Sequence, residues 1–156
     1  MSGVDLNYKQ ALTFLPDWAR GIQAFANAGA QHLTGDDSGS FAGYIPRTYN
    51  WGVSLTRPRY NMRVNWNYSG RARQSIVAAG RSIGVGTYTW GSKRMVVDAS
   101  GEFYFYKRWA AFVSLSNFAD APIDLEIAGP ATPDHAQFRS RTNYGAQWTF
   151  GVRGTF

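Results

Sequence analysis

The chain contains no cysteine. That excludes a disulfide framework, a Cys-ligated zinc site and a Cys nucleophile. It contains no run of 18 or more apolar residues, so it encodes no transmembrane helix. Charge is sparse, 17% of 156 residues. The net charge of +6 comes from Arg and Lys scattered singly through the chain. There is no block of like charge, no basic helix and no RNA-binding signature, so nucleic acid is not an expected partner. The opening Met1-Ser-Gly-Val-Asp-Leu-Asn-Tyr8 lacks the apolar core of a secretory signal.

Aromatic residues are what the chain has in quantity, 16% of the total and mostly Trp and Tyr. Such side chains suit a membrane–water interface, where an apolar ring and a polar tip are both satisfied. The mean hydropathy of −0.33 agrees with strands that place only alternate residues in lipid.

Period-2 alternation, the mark of a half-buried strand, recurs in seven segments. They are Leu6–Phe14, Gly21–Leu33, Tyr49–Thr56, Tyr60–Ser69, Lys93–Tyr106, Trp109–Asn117 and Tyr144–Phe156. The Ala-rich second segment also suits a helix, but Gly21 and Gly29 weaken that reading. The fourth is the clearest. Tyr60, Met62, Val64, Trp66 and Tyr68 share one face, with aromatics at both ends; Asn61, Arg63, Asn65, Asn67 and Ser69 share the other. In the last segment Trp148, Phe150, Val152 and Phe156 fall on one face, Arg153 on the other. Pro16, Pro58 and Lys107 mark three short connections. Between them lie three long ones, at about 34–48, 70–89 and 118–142. Strict alternation of short and long places all short turns at one end of an antiparallel meander and all long loops at the other.

That pattern is similar to a bacterial outer-membrane β-barrel. It makes Tyr60, Met62, Val64, Trp66 and Tyr68 lipid-facing. Asn61, Arg63, Asn65, Asp98, Glu102 and Arg153 become lumen-facing, with Asp98 and Glu102 expected to pair with Arg63 or Arg153. Seven strands are too few and of the wrong parity for a complete barrel, so the expected object is the C-terminal segment of a larger one. An outer-membrane protein needs a secretory signal, so either the membrane reading is wrong or the chain lacks its natural N-terminus.

More specifically, the chain resembles the C-terminal portion of TonB-dependent outer-membrane receptors over essentially its whole length. The matching pieces are Tyr8-Lys-Gln-Ala-Leu-Thr-Phe-Leu-Pro-Asp-Trp-Ala-Arg-Gly21, Ile45-Pro-Arg-Thr-Tyr-Asn-Trp51, Val64-Asn-Trp-Asn-Tyr68, Leu115-Ser-Asn-Phe-Ala-Asp120 and the terminal Phe strand. The resemblance implies a 22-stranded barrel closed by a plug. It implies uptake of a siderophore, cobalamin or oligosaccharide, energised by TonB. It implies a C-terminal strand, with Trp148, Phe150, Val152 and Phe156, read by the barrel-assembly machinery. The partners implied are outer-membrane lipid, the remaining strands and plug, and TonB through the absent N-terminal part. No enzymatic activity and no cofactor are implied. Arg71, Arg73, Arg81, Arg139 and Arg141 are expected at the outer mouth, suited to an anionic or sugar-rich ligand. The chain has no plug and no TonB-contacting box, so transport by this segment alone is not expected.

Two other readings compete. One is a small self-contained barrel with an eighth strand near Ala42–Arg47 or Gly84–Trp90. The other is a soluble β-sandwich binding carbohydrate through exposed Trp and Tyr. Catalytic and metal motifs are weak. Gly35-Asp-Asp-Ser-Gly39 lacks a supporting His and Asp pattern. Asp36 and Asp37 are too few carboxylates for Ca²⁺. His32 and His135 are far apart in the chain, and Gly80-Arg-Ser-Ile-Gly-Val-Gly86 lacks the Lys of a phosphate loop.

Overall fold

Alternating apolar and polar residues leave the chain no helical stripe to bury, and the described residues fold as strands. The computed structural model describes residues 2–34, 43–81 and 83–154. The strands are β1 (Ser2–Ala11), β2 (Ile22–His32), β3 (Arg47–Thr56), β4 (Tyr60–Ser69), β5 (Ala72–Ile76), β6 (Tyr88–Gly91), β7 (Arg94–Tyr106), β8 (Trp109–Ser116), β9 (Ile123–Ala128), β10 (Phe138–Thr142) and β11 (Gln147–Gly154). Single 3-10 turns lie at Asp17–Ala19 and Asp134–Ala136, each entered through a proline.

β1, β2, β3, β4, β7, β8 and β11 form one antiparallel seven-stranded sheet, each paired with its neighbour in that order. This is the expected meander, with all seven segments in place. β4 has the expected bounds; β1 runs earlier than expected and stops at Ala11, where the Leu12 N–H turns to the Ile22 carbonyl (2.9 Å). The sheet is open, with β1 and β11 at its edges. Because direction reverses at each of its pairings, β1 and β11 run the same way.

A row of directly paired residues crosses the sheet: Gln10, Ala24, Val53, Val64, Ala99, Leu115, Trp148. It lies one residue from the short-connection end of β1 (Ala11), three from that of β3 (Thr56), four from that of β4 (Tyr60) and six from that of β11 (Gly154). The strands thus step along the sheet by nearly one residue each. At about 3.3 Å per residue and 4.8 Å per strand spacing, they lean roughly 30–35° from the perpendicular to the sheet's rim.

The two later long connections are not loops, as the sequence suggests, but hold a second sheet in the order β10-β9-β6-β5. β5 and β6 come from the connection after β4, β9 and β10 from that after β8. Tyr44, in the first long connection, bridges to Arg73 of β5. All three long connections therefore meet beyond one end of the main sheet. The places suggested for an eighth strand, around Tyr44 and β6, join this second sheet and not the first. A sandwich buries the facing sides of its two sheets, and the described residues show no such buried layer.

A central core is missing. Among the described apolar residues only Ala19, Val97 and Ala110 are buried. The accessible surface is 11168 Å², against about 7,800 Å² for a folded monomer of this mass.

Candidate functional site

The register sorts side chains onto two chemically opposite faces. One carries Leu6 and Tyr8 of β1, Ile22 and four alanines of β2, and Tyr49, Trp51, Val53 and Leu55 of β3. It continues with Tyr60, Met62, Val64, Trp66 and Tyr68 of β4, and Met95, Val97, Ala99, Gly101 and Phe103 of β7. Ala111, Val113 and Leu115 of β8, then Trp148, Phe150 and Val152 of β11, complete it. No charged residue interrupts this face between Leu6 and Val152; Arg47 stands at its edge. The five β4 residues expected on it share it. Of the expected terminal set, Trp148, Phe150 and Val152 are on it and well exposed, Phe150 at 81%. Phe156 lies outside the described residues, as do Asp36, Asp37 and the rest of the segment 35–39.

Aromatics concentrate toward two levels of this face. Tyr49 stacks on Tyr68 with ring centroids 5.5 Å apart. Trp51 stacks on Trp66 at 6.4 Å, their planes 2° apart. Tyr60, Phe103, Phe105 and Trp109 lie toward the short-connection end. Val53, Val64, Ala99, Gly101 and Val113 fill the level between.

The other face carries the charges and amides. Asn27 Nδ2 donates to Asn50 Oδ1 (3.3 Å), Asn50 to Asn67, and Asn67 Nδ2 to Asp98 Oδ2 (2.9 Å). The Asn117 N–H completes the ladder on Asp98 Oδ1 (3.0 Å). Such a ladder answers each amide with its neighbour across the strand gap. Asp98 is thus held by amides, where Arg63 or Arg153 had been the expectation. Arg153 does pair with Glu102, and Tyr104 donates to Glu102 Oε2 at 3.0 Å. Arg63 lies over the Phe25 ring, 4.6 Å from its centroid, and donates through Nε to Asn65 Oδ1 at 2.9 Å. Gly52 makes that stack possible: a Cβ there would meet Val64 O at 2.4 Å and Phe25 Cζ at 2.5 Å. Asn61, Arg63, Asn65, Asp98, Glu102 and Arg153 therefore share the face that the alternation assigns them.

Of the five arginines expected at the outer mouth, four sit on or beside the second sheet. Arg71 lies over Trp90 (4.6 Å) and pairs with Glu126 at 2.8 Å. Arg73 lies over Tyr88 at 5.0 Å. Arg139 donates to Thr89 Oγ1 at 3.1 Å. Arg141 grips Asp124 through Nε and a terminal nitrogen, each 2.7 Å from a carboxylate oxygen. That hydrogen-bonded pair holds the Asp124 carboxyl below its ordinary range and lifts the Arg141 guanidinium above its own. Arg81 lies apart, in the turn closed by the Gly80–Ile83 bridge.

Sequence reasoning missed the partners that organise this cluster: Tyr88, Trp90, Asp124 and Glu126. Ile123, Leu125 and Ile127 alternating with Asp124 and Glu126 was the available signal. It also missed Asn117, whose φ of 52° ends β8. Its Nδ2 donates to the carbonyls of Ala121 and Gly145 (both 3.2 Å), and its Oδ1 accepts from the Ala121 N–H (2.9 Å). Among the described residues, no three His, Cys, Asp or Glu side chains gather as metal ligands do.

Comparison with protein-family models, curated proteins and solved structures finds no match to this chain.

Proposed function

We propose that this chain is the C-terminal portion of the barrel of a TonB-dependent outer-membrane receptor, a transporter segment with no chemistry of its own. The observation that carries the membrane part is the uncharged, exposed face spanning all seven strands. A charge at the midplane of a lipid-facing barrel wall costs about 2–4 kcal/mol for Lys or Arg, and none is present there. The stagger supports it too: a lean of roughly 30–35° is close to the 35–45° of membrane barrels. A ten-residue strand at that lean spans about 27 Å, against an apolar band of about 25 Å. The surplus of exposed surface is what a wall of a larger assembly has before its lipid and neighbours cover it.

Two features support the receptor part. The first is the ordered sequence pieces of the family resemblance. The second is the gathering of Arg71, Arg73, Arg139 and Arg141 with Trp90 and Tyr88 where the long connections meet. Arg71 Nε and Trp90 Nε1 are buried donors without a hydrogen-bond partner among the described residues, and an anionic or hydroxyl-rich ligand would supply acceptors. In this reading the amide and charged face lines the lumen beside the plug.

The DNA upstream of Met1 tests the proposal. An open frame encoding further alternating strands, a plug and a signal peptide is the expected result. A stop codon and a ribosome site directly before Met1 would overturn the receptor reading.

A further inference from the structure

Two phenylalanines lie on the amide face, each directly opposite a glycine of the neighbouring strand: Phe25 with Gly52, Phe112 with Gly151. Each ring reaches across its glycine. A Cβ on Gly151 would meet Phe112 Cε1 and Cζ at 3.0 Å. Phe25 is covered by Arg63. Phe112 is half-buried and has no ring or cation partner among the described residues. Between Phe112 and Arg63 the sheet surface sinks. Ser54, Arg63, Ser100 and Ser114 are directly paired in one row across β3, β4, β7 and β8. The serines are short, so taller side chains stand around them: Asn61 and Arg63 on one side, Phe112 and the Arg153–Glu102 pair on the other. The depression holds about 400 Å³, which is within the range of small-molecule sites. It lies at the short-connection end, where β3 stops at Thr56 and β4 starts at Tyr60. The arginines of the second sheet stand beyond the other end.

The groups left without partners define what fits there. None of the serine hydroxyls makes a side-chain hydrogen bond among the described residues. Thr56 Oγ1 donates to Asn61 Oδ1 at 3.3 Å, which leaves the Asn61 amide N–H groups as donors. The acid is already matched: Glu102 pairs with Arg153 and accepts from Tyr104. Arg63 is not. Its Nε donates to Asn65, and its terminal nitrogens have no ion pair or hydrogen bond among the described residues. One open guanidinium end, a row of hydroxyls that both donate and accept, and one apolar ring match a ligand with one carboxylate, several hydroxyls and an apolar face. A sugar acid in its pyranose form has all three. A neutral sugar leaves Arg63 unanswered; a simple carboxylate leaves the serines and Phe112 unanswered.

We propose that this depression binds a uronic acid unit, with its carboxylate on Arg63, its hydroxyls on Ser54, Ser100 and Ser114, and its C–H face against Phe112. The site is built by strands of the main sheet alone. It goes beyond the receptor reading, and the reading frame upstream of Met1 does not bear on it.

Saturation-transfer NMR on the full-length protein in nonionic detergent tests this, with glucuronate as the probe and glucose and acetate as comparisons. Glucuronate is expected to bind saturably and about tenfold more tightly than glucose, the advantage that a hydrogen bond to a charged group supplies. Arg63→Gln should remove that advantage and leave glucose binding as it was. Phe112→Leu keeps the apolar bulk but loses the ring, and should weaken both sugars about fivefold. Thr48→Ala, on the same face toward the opposite end, should bind as the unaltered protein does. Equal binding of glucuronate and glucose, which needs no variant, overturns the proposal. So does undiminished glucuronate binding by Arg63→Gln. Displacement by acetate at equal concentration overturns it in favour of a simple anion site. No saturable binding of glucuronate by the folded protein also overturns it, and assigns the depression to a polypeptide segment instead.

Discussion

Val64 and Arg63 are neighbours in β4 with opposite surroundings. Val64 lies in the middle of the uncharged face, between Val53 and Ala99; Arg63 lies on the amide face, over Phe25. Val64→Arg is expected to block membrane assembly, at a cost of about 2–4 kcal/mol near the midplane. Arg63→Leu loses one stack and one hydrogen bond and should assemble with a mild loss of thermal resistance. Outer-membrane fractionation of the two variants checks the pair, and equal assembly would reverse the two faces. Asn117 gives a second case. Its left-handed φ of 52° disfavours Ala, while its side chain joins the start of the β8–β9 connection to Gly145, just before β11. Asn117→Gly keeps the backbone and loses the bonds; Asn117→Ala loses both. Ala is therefore expected to destabilise the fold more than Gly, by about 1 kcal/mol, seen as a lower thermal midpoint. Equal midpoints would mean that the backbone conformation carries no cost.

At the level of elements, the main sheet was legible because long strands with one greasy face repeat the same period many times. Tyr60–Ser69 could be bounded from its pattern alone. The second sheet was not legible. Its strands have four to six residues, too few for a period to stand out. Register shifts after Arg73 and after Phe138 also break the alternation in β5 and β10. Four of the five arginines expected at the mouth lie in or beside those hidden strands; Arg81 sits in a turn that nothing in its neighbours announces. The Asp124–Arg141 pair links β9 to β10 across that sheet. Arg141 holds the Asp124 carboxyl below its usual value, so the pair stabilises the folded form above the ordinary Asp range near about 3.9. That contribution is lost as pH falls below this range through the lowered folded value. Hydrogen exchange of β10 amides, normalised to intrinsic rates, is expected to lose protection on acidification past pH ~4. Asp124→Asn should show weaker protection at neutral pH and no such drop. Protection in β10 that ignores pH would mean the pair does not hold these strands.

For the molecule as a whole, the open sheet poses the sharpest question, because a membrane wall needs every backbone group paired. β1 and β11 run in the same direction, so joining them directly would make a parallel seam in an otherwise antiparallel sheet. A barrel that closes antiparallel must place an odd number of further strands between them. Seven strands closed on themselves predict contact between the two edges; a barrel with further strands between them predicts separation. The chain has no native cysteine, so the choice is open to crosslinking. Cysteines introduced in pairs, Asn7→Cys or Lys9→Cys on β1 with Thr149→Cys or Gly151→Cys on β11, sample the amide-bearing face at adjacent registers. A disulfide requires Cα atoms about 4.4–6.8 Å apart. In protein assembled in the outer membrane no combination is expected to crosslink within one chain, because intervening strands hold the edges apart. A control pair on hydrogen-bonded neighbours, Ser114→Cys with Thr149→Cys, should oxidise readily. If a β1–β11 pair oxidises as readily as that control, the seven strands close on themselves and the receptor reading falls.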